Sequence, residues 1–92
     1  MHLEIVSPEA TLFSGEVESV IVPGTTGSFQ MLNNHAPIVS TLKEGTVTIY
    51  GKMDLDDSVQ SKFKKQSVNT TLFQISSGTI EMRNNKVILL AD

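Results

Sequence analysis

The sequence predicts an all-β domain, an antiparallel sandwich or barrel of about nine to ten short strands. Short runs rich in Val, Ile and Thr recur along the chain, and β-branched residues pack well on a pleated, half-buried surface. Turn residues separate these runs at nearly regular spacing, which is typical of antiparallel β architectures. The 92 residues allow one modest core, and the hydrophobic content of 39% is that of an ordinary soluble domain.

The first half of the chain contains five predicted strands, and turn-forming residues follow each of them. We expect these strands at residues 3–6, 10–13, 16–22, 27–32 and 38–42. The first three end at dipeptides with Pro or Gly, which interrupt regular structure: Ser7-Pro8, Ser14-Gly15 and Pro23-Gly24. The other two end at Asn33-Asn34 and at Lys43-Glu44-Gly45.

The second half contains four predicted strands, at residues 46–50, 72–75, 79–82 and 86–90. The first of them alternates cleanly, with Val47 and Ile49 on one face. Asn84-Asn85 separates the last two strands, and Asn tolerates positive φ angles. We therefore expect a tight two-residue hairpin turn there.

Residues 52–69 differ in character from the strands, because they are polar and highly charged. Leu55, Val59 and Phe63 recur at four-residue spacing, and Asp54 is of a type that caps helices. We expect a single domain over residues 1–92 in which this segment is a mobile excursion from the sheet, with about one helical turn.

Composition excludes several classes of partner and site. The net charge of −3 disfavours binding to nucleic acid and to anionic lipid headgroups. We also expect no direct lipid insertion. The absence of cysteine excludes disulfides and thiolate metal sites. No run of residues is long and apolar enough for a membrane span, and no signal-peptide pattern is present, so the cytoplasm is the default location.

Searches for catalytic motifs fail, and we expect neither an enzyme nor a cofactor. The chain has only two histidines and no nucleophile elbow. The segment 45–52 approaches a phosphate-binding loop but has the wrong glycine spacing, and Met53 replaces the hydroxyl residue. The acidic cluster of Asp54, Asp56 and Asp57 lacks the glycine and glutamate of a calcium loop, so a solvated acidic loop is the better interpretation.

Residues 24–45 form the most unusual stretch of the sequence. Gly24 and Gly27 permit a sharp loop. Pro37 fixes its own φ angle and restricts Ala36, so His35 sits on a rigid connection before a strand. Two interpretations of His35 remain open: a hydrogen bond to the local backbone, which residue statistics favour, and a contact with a partner.

Several motifs in order resemble the epsilon subunit family of bacterial F-type ATP synthase. They are the opening HLEIVSPEATLFSGEVESVIVPG, Gly24-Thr25-Thr26-Gly27, His35-Ala36-Pro37, the pair Leu42 and Gly45, and the closing ISSGTIEM and NNKVILLAD. Gln30, Asn33-Asn34 and Ser77 depart from the family pattern. Family members commonly continue into a two-helix domain linked to inhibition and ATP binding. The sequence ends at Asp92, so the resemblance licenses neither an inhibitory nor a nucleotide-binding role here, and we expect no ATP binding.

The resemblance implies a flattened β-sandwich in the central stalk of the rotor, with the gamma subunit and the c-ring as partners. The expected location is the cytoplasmic face of the bacterial inner membrane, peripheral through the complex. The residues implied on the c-ring side are Gly24, Gly27, Ser28, Phe29 and Met31. Those implied on the gamma side are Ser7, His35, Pro37 and Ser40. Phe29, Met31 and Ile38 are equally explained as core residues.

Two other function classes stay open at this point. One is a freestanding β-sandwich adaptor with unrelated partners. The other is a small nucleotide sensor, as some longer relatives are. A hydrolase has no residue set to support it.

Overall fold

A computed structural model describes the whole chain, residues 1–92. The strands are β1 (His2–Val6), β2 (Thr11–Glu16), β3 (Ser19–Gly24), β4 (Gly27–Met31), β5 (Ile38–Leu42), β6 (Gly45–Tyr50), β7 (Phe63–Ser67), β8 (Thr70–Ile75), β9 (Gly78–Arg83) and β10 (Lys86–Ala91). A 3-10 helix at Gln60–Lys62 precedes β7. All nine strands predicted from the sequence are present with small shifts at their ends, and the all-β class is confirmed.

The sheet runs in the order β2-β1-β10-β9-β5-β3-β6-β8-β7, with β4 added beside β3. A single residue pair, Gly24 with Leu42, joins β5 to β3. The sheet therefore folds over at this junction into two halves of five strands each, one ending at β2 and β5 and the other at β4 and β7. This arrangement confirms the β-sandwich.

A core of 22 buried apolar residues fills the space between the two halves. Alternation within the strands creates it, because every second side chain points inward. On β1 the inward residues are Leu3 and Ile5, and on β6 they are Val47 and Ile49, all without exposed surface. A close-packed interior of this kind resists deformation, so the domain is a stiff body.

One strand pair corrects the expectation of a fully antiparallel sandwich. β1 and β10 run parallel, with His2 beside Lys86 and Val6 beside Leu90. Almost the whole chain separates these two strands, so no tight hairpin turn imposes an antiparallel direction on them. The other strand pairs are antiparallel.

The segment 52–69 contains a strand that its sequence does not indicate. Phe63–Ser67 form β7, which pairs with β8 at the edge of the sheet. Only Phe63 points into the core, where its ring stacks on Phe73 with centroids 4.8 Å apart. Because the rest of β7 faces solvent, its residues are polar and the alternating pattern is hidden. The helical turn expected in this segment is present as the 3-10 helix.

The turn between β9 and β10 is the tight hairpin that the sequence predicts. Asn84 has a φ angle of 52° and Asn85 one of 59°. Arg83 pairs directly with Lys86, so the loop has two residues. Positive φ angles at both positions are the signature of a type I′ turn, and asparagine is among the few residues that accept them.

Candidate functional site

The β3–β4 hairpin carries the residues that the resemblance implies on the c-ring side. Pro23 and Gly24, expected to close the third strand, lie inside β3, and Thr25-Thr26 form the turn. Gly24 is buried, and a Cβ there would lie 2.6 Å from the Gly27 carbonyl oxygen and 2.8 Å from the Phe29 ring. Gly27 has a φ angle of +136°, which side chains rarely adopt. Close approach and backbone angle therefore require glycine at these two positions.

The five implied residues of this hairpin differ in what they present to a partner. Gly27 and Ser28 are exposed, whereas Phe29 is half-buried and packs against the core. Met31 is 0% exposed and belongs to the core, so its side chain has no surface to offer in this structure. Its position opposite Val20 explains this, since both point into the space between the halves.

The tip of the hairpin is tied to β5. The Thr25 N–H donates to the Thr41 carbonyl over 3.1 Å, and the two threonine hydroxyls are 3.0 Å apart. The Lys43 N–H donates to the Pro23 carbonyl over 2.9 Å. The hairpin and β5 belong to different halves of the sandwich, so these bonds tie the two halves together at this end.

The loop between β4 and β5 holds His35 and Pro37 at the opposite end of the domain from the tip. The Asn34 N–H donates to the Asn85 side-chain oxygen over 2.7 Å, and the His35 N–H donates to the Leu32 carbonyl over 3.1 Å. His35 Nδ1 lies 2.7 Å from the Ala36 carbonyl oxygen, to which it donates. The local backbone bond expected for His35 is therefore present, while the residue remains exposed.

Ser7 is not brought together with the other residues implied on the gamma side. Its N–H and hydroxyl both donate to the Ala10 carbonyl in the β1–β2 turn. This turn follows the end of β1, whose five residues span about 16 Å, and His35 lies beyond the other end. Ser7 thus shares the end of the domain that carries the hairpin tip. Ser40 is half-buried in β5, and its hydroxyl donates to the Thr41 carbonyl.

Sequence reasoning missed Val39, which leaves 76% of its surface exposed in the middle of β5. In β5 the residues Ile38, Ser40 and Leu42 share one face, and Leu42 is buried. Val39 and Thr41 therefore point outward. The run Ile-Val-Ser-Thr-Leu carries little signal of which face is buried, because both sets of alternating positions include β-branched or apolar residues.

The segment before β7 forms a second surface feature. Met53, Asp54, Leu55, Gln60, Phe63 and Lys65 line an open groove of about 480 Å³. Lys65 Nζ donates to the Met53 carbonyl over 2.9 Å and ties the segment to β7. The Ser58 backbone N–H and the Ser58 hydroxyl both donate hydrogen bonds to the Asp56 carboxylate. These bonds, the backbone one more strongly, lower the pKa of Asp56 below its ordinary value. These bonds shape the loop and bring no acid–base pair together.

The exposed hairpin tip, the β4–β5 loop and β5 offer backbone groups, hydroxyls and one imidazole to a partner. No group of three or more histidine, aspartate or glutamate side chains is placed to hold a metal ion. No helix of the structure is long and apolar enough to cross a membrane. The arrangement suits recognition through hydrogen bonds and shape.

Comparisons with known proteins give one consistent result. Residues 1–92 match the family described as ATP synthase, Delta/Epsilon chain, beta-sandwich domain. The ATP synthase epsilon chain of Chlorobaculum tepidum is 40% identical over 90 residues, which cover 98% of this chain and 86% of the relative. That of Caulobacter vibrioides is 36% identical over 92 residues, covering 100% of this chain and 90% of the relative.

A solved structure shares the fold at low sequence identity. It is a chain in the cryo-EM structure of the central stalk and c-ring of Tetrahymena thermophila mitochondrial ATP synthase. The TM-score is 0.68 at 13% identity, and the match covers 99% of this chain and 62% of that chain.

Proposed function

The chain belongs to the delta/epsilon β-sandwich family of ATP synthase subunits, and from this membership we propose that it is a central-stalk subunit joining the c-ring to the gamma subunit. The structural observation that carries the proposal is that the two proposed contact surfaces, the hairpin tip and β5, are hydrogen-bonded to each other. Thr25 of the tip is bonded to Thr41 of β5, so both surfaces belong to one stiff body. A body of this kind transmits torque from a rotating ring to a shaft.

In this proposal the hairpin tip meets the polar loops of the c-ring. Gly27 contributes exposed backbone and Ser28 an exposed hydroxyl. Phe29, which follows them, is half-buried and packs against the core. The backbone at Gly24 packs closely against Gly27 and the Phe29 ring, and we expect this packing to limit flexing of the tip. The Tetrahymena chain with the same fold comes from a central stalk and c-ring assembly, which supports a place in the stalk.

The gamma subunit is proposed to meet the β4–β5 loop and β5. His35 and Pro37 are exposed there, and Ser40 lies in the adjoining strand. The loop is already ordered by its bonds to Asn85 and to the Leu32 carbonyl. An ordered surface loses little conformational entropy when it binds, which suits a lasting contact.

The proposed role is mechanical and non-catalytic within an enzyme complex. The residues that meet the partners are glycine, serine, proline and histidine without an activating neighbour. We propose a peripheral location at the cytoplasmic face of the bacterial inner membrane, reached through the complex and without lipid insertion. Neither a cofactor nor ATP binding is part of the proposed role.

The absence of cysteine makes a cross-linking test unambiguous. We suggest three single-cysteine variants, Ser28→Cys, Ala36→Cys and Gln66→Cys, each labelled with a benzophenone maleimide before assembly into the synthase. The three positions are exposed. We expect Ser28→Cys to cross-link to the c subunit and Ala36→Cys to the gamma subunit. Gln66→Cys, in the remote edge strand β7, is the matched control and should give neither product.

Equal yields from all three variants would contradict the assignment of the surfaces. Failure of Ser28→Cys and Ala36→Cys to label any ATP synthase subunit would contradict the stalk role itself. Labelling of unrelated proteins by those two variants would instead favour the freestanding adaptor that the sequence left open.

A further inference from the structure

The backbone of β5 has unpaired hydrogen-bonding groups on its outer edge. The Thr41 carbonyl accepts from Thr25 and therefore faces away from β9. In a strand, residues two apart face the same way, so the Val39 N–H and carbonyl also face away from β9. Strand β3 meets β5 only at Leu42, and Val39 makes no turn or side-chain hydrogen bond. Both polar groups of Val39 are therefore open to a partner.

The edges of this sandwich are not equally protected against added strands. Natural proteins protect sheet edges with lysine, bulges and proline. Edge β7 carries Lys64 and Lys65 and has a register shift between Lys65 and Ser67. The β1–β2 ladder has a shift between Ile5 and Val6, close to the end of edge β2.

Strands β4 and β5, by contrast, form edges without charged residues. Edge β4 begins at Gly27, whose φ angle of +136° departs from strand geometry. Edge β5 pairs with β9 without any shift from Ile38 to Leu42 and contains no charged residue. Among the four edge strands β2, β4, β5 and β7, β5 therefore offers the most regular and least protected edge, with Val39 at its centre.

We propose that an extended segment of a partner protein adds to the edge of β5 and hydrogen-bonds the Val39 N–H and carbonyl. Strand addition of this kind is a common mode of recognition, in which main-chain bonds provide affinity and alternate side chains provide specificity. The inference rests on the proposed function in one respect, because it takes the gamma subunit as the source of the segment.

A second copy of this chain fits the edge poorly. Two-fold antiparallel pairing about Val39 would place Thr41 of one copy opposite Pro37 of the other. The hairpin tip at Thr25 already occupies the place beside Thr41. A slender extended segment can end before this tip, whereas a second copy paired in this way places its Pro37 where the tip already lies.

The chemistry of the edge defines the segment that it would accept. The Val39 side chain is outward and 76% exposed, so it favours an apolar or β-branched residue directly opposite. Pro37 marks one end of the free edge and the hairpin tip marks the other. The accepted stretch is therefore short, extended and uncharged at its centre.

Amide hydrogen exchange of the isolated protein and of its complex with the gamma subunit tests the proposal directly. The Val39 amide should exchange quickly in the free protein and at least about tenfold more slowly in the complex. Ser40, whose amide faces β9, is the internal control and should be protected in both states.

Two variants provide a second, independent readout of binding. Val39→Pro removes the N–H, and proline is tolerated in an edge strand when its nitrogen faces solvent. Val39→Ala removes most of the side chain and keeps the N–H. We expect Val39→Pro to raise the Kd for gamma about tenfold more than Val39→Ala does, as for the loss of one good hydrogen bond. Circular dichroism spectra of both should match that of the parent.

The outcomes separate this inference from the stalk role. Tight binding of gamma with an unprotected Val39 amide, or with equal Kd values for the two variants, would overturn strand addition and leave the stalk role intact. Protection of Val39 in the isolated protein at high concentration would assign the edge to a second copy and overturn the inference. No binding of gamma would overturn both proposals.

Discussion

The two long sides of the sandwich meet solvent in different ways. The β4/β5 side consists of the edges of β4 and β5 with the loop between them, and its edge strands carry no charged residue. The β2/β7 side consists of the edges of β2 and β7, and it carries lysines, register shifts and the strapped segment before β7. Both sides border the same core. The packing of the core therefore does not explain why one side has regular, uncharged edges and the other has irregular, charged ones.

The contrast indicates which side of the domain can accept a strand from a partner. An open edge is a template for an added strand, and irregular or charged edges discourage pairing. The β4/β5 side also contains most of the residues that the family resemblance implies as contacts, including Gly27, Ser28, His35 and Pro37. An accessible edge and those residues thus lie on one side of the molecule.

The largest expected effect tests the tight packing on the β4/β5 side. In Gly24→Ala the new Cβ would approach the Gly27 carbonyl oxygen to 2.6 Å, and backbone cannot easily move away. We expect a loss of about 1–3 kcal/mol in the free energy of unfolding, measured by urea denaturation.

Gly15→Ala, in edge β2, is the matched control from the other side. Its Cβ would meet only the tip of the Phe13 ring, at 2.9 Å, and a side chain can shift. The loss should therefore be smaller than for Gly24→Ala. Equal losses would show that backbone packing does not distinguish the two sides.

A smaller effect is expected from the hydrogen bond that ties the segment before β7 to Lys65 on the β2/β7 side. Lys65→Met removes the bond from Nζ to the Met53 carbonyl and leaves that carbonyl unpaired. We expect a loss of about 0.5–1.5 kcal/mol in the free energy of unfolding, with faster amide exchange in residues 53–59. Lys64→Met is the control, since the Lys64 side chain is exposed and does not bind the Met53 carbonyl. Indistinguishable exchange rates in the two variants would show that the Lys65 bond does not hold residues 53–59 in place.

The smallest effect concerns pH and the acidic loop on the same side. Hydrogen bonds from the Ser58 N–H and hydroxyl favour the charged form of Asp56 and lower its pKa below the ordinary 3.8. They therefore stabilise the loop fully above that value, and this contribution is lost as pH falls through the folded-state pKa.

An NMR titration of the Asp56 carboxyl carbon measures this shift. Ser58→Ala removes the hydroxyl and keeps the backbone N–H, which is the larger cause of the shift. The inflection should move only part of the way back toward 3.8. Identical inflections in parent and variant would mean that the hydroxyl contributes nothing.

Much of the fold could be predicted because the relevant interactions are local. Asn84-Asn85 forms the predicted turn, since a φ angle above zero is a property of the residue and its immediate neighbours. The clean alternation of residues 46–50 places Val47 and Ile49 in the core, as predicted. Strand β7 was missed because its one inward side chain, Phe63, provides no alternating pattern.

The candidate site was less predictable, because exposure depends on neighbours that are remote in sequence. The sequence explains Met31 equally as a contact residue and as a core residue, and its place opposite Val20 shows that it faces the core. Ser7 and His35 belong to one implied contact set, but the length of β1 separates them. Val39 became a candidate only when the direction of its N–H and carbonyl was known.

The residue types of this chain were sufficient to specify strands, turns and the all-β class, since these follow from steric preferences over a few neighbouring residues. The direction of β1 against β10, the choice of open and protected edges, and the exposure of Val39 required the folded chain. Each of these is a relation between segments far apart in sequence, and the physical reason is common to all. Packing of the core selects one global pairing from many that the local preferences allow.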